Sequence, residues 1–182
     1  MKRWLRFTAA VLAAAFLFAL TGCGSSTNSA SFTWFVDSIP ANLDPQVASG
    51  ASDVIACENL YGTLVRKNPD GELVPGLCEK WTVSPDGLTY TFTLKDGLTY
   101  AAVKGAATEY DITAEDFVFA FRRIFRADTA SPYAVEFSAI QNSAAVQAGL
   151  ADESSLGVSA NGALTLVFRL SERDDNFLAK LA

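Results

Sequence analysis

Apolar and polar residues alternate most clearly between Leu88 and Lys95, where Leu88, Tyr90, Phe92 and Leu94 interleave with Thr89, Thr91, Thr93 and Lys95. A period of two puts the two sets on opposite faces of one strand. Ser84-Pro85-Asp86-Gly87 precedes it as a turn, with proline presetting φ and glycine accepting a positive φ. Trp81-Thr82-Val83 is therefore expected to pair back as the other arm of a hairpin. Further along, the period becomes helical. Thr113 supplies an N-cap, Asp116 the third-position partner of a capping box, and Ile112 with Phe117 a hydrophobic staple. Phe117, Phe121, Ile124 and Phe125 then share one face, while Arg122, Arg123 and Arg126 complement the negative C-terminal end.

Weaker patterns fill in the rest. Phe32, Trp34 and Val36 alternate as a first strand. A helix follows Ser49 or Ser52 as cap, with Ile55, Leu60 and Tyr61 inward and Gly62 as its stop. Asn68-Pro69-Asp70-Gly71 is a turn between strands Thr63–Lys67 and Glu72–Val74. After Pro132 a helix is expected over Ala139–Ala148, ending at Gly149. A hairpin comes next, Leu156–Ala160 and Leu164–Leu170 joined through Asn161-Gly162, with Leu164, Leu166, Phe168 and Leu170 on one face. Asp174 or Asp175 starts a last helix carrying Phe177, Leu178 and Leu181. The fold class is mixed α/β, and Ala182 falls inside that last helical pattern before any cap, which reads as an incomplete domain.

Residues 1–22 read as a signal peptide. Lys2, Arg3 and Arg6 precede an apolar run from Phe7 to Leu20, shorter than the ~20 residues of a spanning helix. Leu20-Thr21-Gly22-Cys23 has the form of a bacterial lipobox, so Cys23 is expected to carry lipid; the alternative is an ordinary signal peptide with an incidental cysteine. Residues 23–31, the lipidated cysteine and GSSTNSAS, form a flexible tether, and residues 32–182 the domain.

Composition narrows the chemistry. Of 182 residues, 50% are hydrophobic and 12% aromatic, enough to bury a core. The formal net charge of −6 drops to −9 once Lys2, Arg3 and Arg6 leave with the signal peptide. Such a chain lacks the basic footprint of a nucleic-acid binder. It has no histidine, which removes the commonest general base and zinc ligand. Asp111, Glu115 and Asp116 are explained by a loop and a helix N-terminus, and Ser131-Pro132 has no base beside it, so no catalytic, metal or cofactor site is expected. Trp34, Trp81, Tyr90 and Phe92 have strand spacing and read as core rather than as a sugar-stacking platform. Cys57 and Cys78 are either a disulfide of an exported protein or two small residues packed separately.

Five strings occur in a fixed order: Leu43-Asp44-Pro45; Val74-Pro75-Gly76-Leu77 with Glu79 and Trp81; Asp86 to Phe92; Thr113 to Val118; and Thr129-Ala130-Ser131-Pro132-Tyr133-Ala134. Together they resemble the N-terminal part of the oligopeptide-binding lipoproteins of bacterial ABC importers, extracellular solute-binding family 5. The resemblance implies a type II periplasmic-binding-protein-like fold, here the truncated N-terminal part of a two-lobed molecule. It implies a non-enzymatic receptor on the extracytoplasmic face, held to the membrane by a lipid anchor, that passes peptides to ABC permease subunits. It also implies that Ser49, Gly50 and Ala51, in the segment that follows the Leu-Asp-Pro string, line the cleft, where small residues suit close backbone approach. Tyr133 matches a ligand-contacting position; its other reading is a core or hinge-side tyrosine with one hydroxyl partner. The acidic residue that captures a peptide amino terminus is expected outside this chain.

The match has a departure. Leu98 to Asp111 replaces a compact Trp-Ser-Asp-Gly element with a longer Ala/Gly-rich loop. Relatives with other cargo (nickel chelates, haem, sugars, opines) and surface lipoproteins for sensing or adhesion are the alternatives. Residues 24–182 alone are expected to be poorly soluble or molten, because apolar faces and strand edges lack partners.

Overall fold

The hairpins form where alternation and turn chemistry agree, and they organise the rest of the fold. A computed structural model describes residues 33, 35, 37–101 and 110–182. The chain divides into residues 1–35 and 36–182. Of the first unit only Thr33 and Phe35 are described, both irregular. The predicted signal peptide, Cys23, the tether and the Phe32-Trp34-Val36 strand lie outside the described residues.

In the second unit, helix α1 (Ala51–Leu60) leads into a two-stranded antiparallel pair, β1 (Val65–Lys67) and β2 (Leu73–Pro75). A four-stranded antiparallel sheet follows in the order β3-β4-β6-β5: Cys78–Val83, Thr89–Leu94, Thr165–Arg169 and Val158–Ala160. Helix α2 (Ala114–Ile124) packs against β5 and β6, and short helices α3 (Ser143–Gln147) and α4 (Phe177–Lys180) complete the unit. Among the described residues, no helix is long and apolar enough to cross a membrane.

The alternating strand behaves as its pattern requires. Tyr90, Phe92 and Leu94 are buried while the threonines between them are half-buried, and Trp81 sits opposite Phe92 in register. Gly87 closes the first turn at φ +73°, and its N–H donates to the Ser84 carbonyl at 2.9 Å. Gly71 and Gly162 take positive φ in the other two hairpin turns. Phe168 is the hub of the core. Its ring packs edge-on against Phe121 at 4.8 Å, Phe177 at 5.3 Å and Phe92 at 5.8 Å between centroids, tying sheet to helices. Tyr90 and Phe92 are thus core, and Trp81 packs half-buried against them.

Helix α2 starts as the capping-box pattern predicts. The Thr113 backbone N–H donates to the Asp116 carboxylate at 2.7 Å, and the Thr113 hydroxyl donates to the same oxygen at 2.9 Å. Ala114, Val118, Phe121, Ile124 and Phe125 are buried, and Phe117 packs partly buried beside them.

Two helices depart from expectation. Helix α1 is capped by Gly50 without a side-chain bond, not by Ser49 or Ser52. Its buried side is polar, with Ser52, Asp53 and Cys57, whereas Leu60 and Tyr61 are exposed. Gly62 is not a left-handed stop; Tyr61 ends the helix in an extended conformation, and a Cβ at Gly62 would press on Leu77 at 3.0 Å. The predicted Ala139–Ala148 helix shrinks to Ser143–Gln147, because Ile140 bridges to Leu170 and Asn142 turns left-handed at φ +63°. Gly149 does end it, at φ +69°. The last helix begins at Phe177, with Asp174 accepting the Asn176 N–H at 2.9 Å just before it. Of the Leu98–Asp111 loop, residues 102–109 lie outside the described residues, and Thr99 and Asp111 pair at its base.

Candidate functional site

The segment from Ala41 to Gly50 leads irregularly into α1, and its shape comes from side chains that reach it from other parts of the chain. The Ala41 N–H donates to Asp53 at 2.7 Å, and the Tyr61 hydroxyl donates to the Leu43 carbonyl at 3.0 Å. At Asp44 the backbone folds into a turn: its carbonyl accepts the N–H groups of Val47 at 3.1 Å and Ala48 at 2.8 Å. The Asp44 carboxylate receives Arg123 of α2 through two parallel bonds of 2.6 and 3.0 Å, the fork geometry that makes guanidinium–carboxylate pairs strong. The Arg123 guanidinium beside it holds the Asp44 carboxyl below its ordinary range.

Gln46 is held from three sides. Its side-chain oxygen accepts from Arg123 at 2.7 Å, its amide donates to the Ala120 carbonyl at 2.9 Å, and its backbone carbonyl accepts the Ser131 hydroxyl at 2.6 Å. The Tyr133 hydroxyl donates to the Ala48 carbonyl. The anchored stretch ends there. Ser49, Gly50 and Ala51 are exposed, and Gly50 is extended at φ −71° and ψ 145°. Among the described residues, the Ser49 backbone and the Gly50 N–H make no hydrogen bond.

Three of the four residues predicted to meet ligand are thus consecutive and exposed, and the fourth, Tyr133, bonds to the residue directly before them. Tyr133 is half-buried, with its hydroxyl committed to Ala48. Pro45, Gln46 and Tyr133 also line a cavity of about 610 Å³, together with apolar side chains that include Leu64, Phe117, Phe121 and Ile124. Ser49, Gly50 and Ala51 do not line that cavity.

Cys57 and Cys78 are buried free thiols, so the disulfide considered for them is not formed. Burial pushes both thiols up, away from the reactive thiolate, and Asp53 and Asp44 add to this at Cys57. Among the described residues, no cluster of three or more Cys, Asp or Glu could hold a metal ion.

Pattern reading missed Arg123 and Gln46 as site residues. Arg123 looked like a helix-end cation, and nothing local links it to Asp44, 79 positions away.

Comparison with known proteins gives the context. Residues 72–182 match the model of bacterial extracellular solute-binding proteins, family 5 (Middle). The Escherichia coli periplasmic murein peptide-binding protein MppA is 36% identical over 135 residues, covering 73% of this chain and 24% of its own. The probable deoxycholate-binding periplasmic protein YgiS of the same organism is 34% identical over 145 residues, covering 79% and 26%. The crystal structure of Haemophilus influenzae OppA complexed with the peptide RPPGFSPFR superposes with a TM-score of 0.65 at 28% identity, over 75% of this chain and 26% of that one. The chain therefore spans about a quarter of the length of the proteins it matches.

Proposed function

The chain belongs to the family 5 bacterial extracellular solute-binding proteins, a family of receptors and not of enzymes, and from that premise we propose that it is the part of a peptide receptor presenting one wall of the ligand cleft. The observation that carries the proposal is that Ser49 and Gly50 are exposed and Gly50 is extended, while the Ser49 N–H and carbonyl and the Gly50 N–H have no hydrogen-bond partner among the described residues; the Gly50 carbonyl accepts the Val54 N–H at 2.9 Å. An extended peptide satisfies such groups by lying alongside as an added strand, which gives affinity with little dependence on sequence. Tyr133 contributes by holding the Ala48 carbonyl from behind rather than by donating its hydroxyl to ligand.

In the intact protein, Cys23 carries the lipid, residues 24–31 let the receptor stand off the membrane, and closure of two lobes over the peptide precedes docking on an ABC permease. The lipobox supports the anchor, and the MppA and OppA likenesses support a peptide cargo. YgiS supports a second reading, a bile acid or another amphipathic cargo in the same fold.

Calorimetric titration of the intact protein with a mixed tri- to pentapeptide library, and separately with deoxycholate, tests the cargo. Saturable heat with peptides alone supports the proposal. Binding of deoxycholate alone replaces it with the second reading. Radiolabelled palmitate incorporated by the wild type and lost in Cys23→Ser tests the anchor.

A further inference from the structure

We propose that Arg123 is a positioning residue for the ligand-facing segment, setting the orientation in which the Ser49–Ala51 backbone is presented; the ligand side of this proposal rests on the peptide reading above. The geometry is specific. One guanidinium grips both oxygens of Asp44, at 2.6 and 3.0 Å, and the side-chain oxygen of Gln46, at 2.7 Å. The Gln46 amide returns to the Ala120 carbonyl at 2.9 Å, one turn earlier on the same helix. Both ends of one carboxamide are thus fixed to α2, which leaves no freedom to rotate the turn that starts at Asp44.

That turn leads directly to the exposed stretch. The Asp44 carbonyl accepts from Val47 and Ala48, the Asp44 carboxylate accepts the Gln46 N–H at 3.0 Å, and Ser49 follows. Rotating Asp44 would swing the Ser49–Gly50 amides off the line on which an extended peptide pairs. Ser131 and Tyr133 brace the same turn from the opposite side, through the carbonyls of Gln46 and Ala48.

Core support does not explain Arg123. Its side chain is 32% exposed, whereas Val118, Phe121 and Ile124 of the same helix are buried. Removing the guanidinium opens no core cavity, so a positioning role and a stability role give different readouts. An arginine suits the first, because a lysine ammonium cannot reproduce the planar fork.

The test uses the intact protein with Arg123→Ala, Arg123→Lys and Asp44→Asn. Hydrogen exchange at the Gln46, Val47 and Ala48 amides is expected to rise roughly tenfold in Arg123→Ala while the β4 and β6 amides stay protected. Affinity for the peptide library is expected to fall roughly tenfold, the loss of a preorganised surface, with Arg123→Lys intermediate. Asp44→Asn, which keeps the side-chain shape, gives the same pattern at smaller amplitude, so the test does not hang on one variant folding. Unchanged exchange at 46–48, or an equal rise across the sheet, overturns the proposal. Wild-type protein that takes no peptide overturns the peptide reading instead, and the exchange pattern still decides whether Arg123 positions the turn.

Discussion

The Tyr133 hydroxyl donates its hydrogen bond to the carbonyl of Ala48, 85 positions earlier in the chain, and so braces the last anchored residue before the exposed Ser49–Ala51 stretch. Tyr133→Phe removes only that donor. Urea unfolding of the intact protein is expected to show a loss of about 1 kcal/mol, the usual net worth of one hydrogen bond. Peptide affinity is expected to fall a few-fold. An affinity loss far above the stability loss would instead make Tyr133 a direct ligand contact.

The Phe168 ring contacts rings from α2, from α4 and from the adjacent strand, so Phe168→Ala leaves a cavity that several elements border. Denaturant titration should show a loss of about 3–5 kcal/mol.

Gly76 is a packing requirement rather than a turn residue. A Cβ there would lie 2.3 Å from the Thr63 carbonyl oxygen, where backbone has no freedom to yield. Gly76→Ala is expected to cost about 2–3 kcal/mol by overpacking. Gly162→Ala, at φ +70° in open space, is expected to cost about 1 kcal/mol. Thermal unfolding of the two variants side by side checks the order.

The Asp44–Arg123 pair has a pH signature. Its folded pKa lies below the ordinary value of 3.8 because of the Arg123 bonds. Its contribution is therefore fully present above about pH 4 and is lost as pH falls through the lower folded value. The stability difference between wild type and Asp44→Asn should be about 1 kcal/mol at pH 7, small because both side chains are about a third exposed. It should shrink as pH falls below about 4 and disappear once Asp44 is protonated in the folded state as well. Urea midpoints at several pH values measure it.

The two hairpins around Gly87 and Gly162 and the start of α2 were legible because each rests on information within a few residues: alternation, a positive-φ glycine, a cap. The presence of helix α1 was legible too, but its inward face was not, because its buried side carries Ser52, Asp53 and Cys57 while Leu60 is exposed. Its partners are polar, with Asp53 accepting from Ala41 and Ser52 meeting Ser38, so hydrophobicity points the wrong way. The proposed ligand-facing stretch came from resemblance, and its supports, Arg123 and Gln46, are paired only through tertiary contact. Cys57 and Cys78 are buried free thiols, and no spacing rule decides between that and a bridge.

The central claim is that an extended peptide is held through its backbone against Ser49 and Gly50. Titrating the intact protein with one bound peptide and a series of its singly N-methylated analogues tests this most directly, since each methyl removes one donor and leaves the side chains in place. The account predicts affinity losses of roughly tenfold at alternate positions, the period of strand pairing. Equal affinity across the series, or peptide binding unaffected by replacing Ser49 with proline, would contradict it.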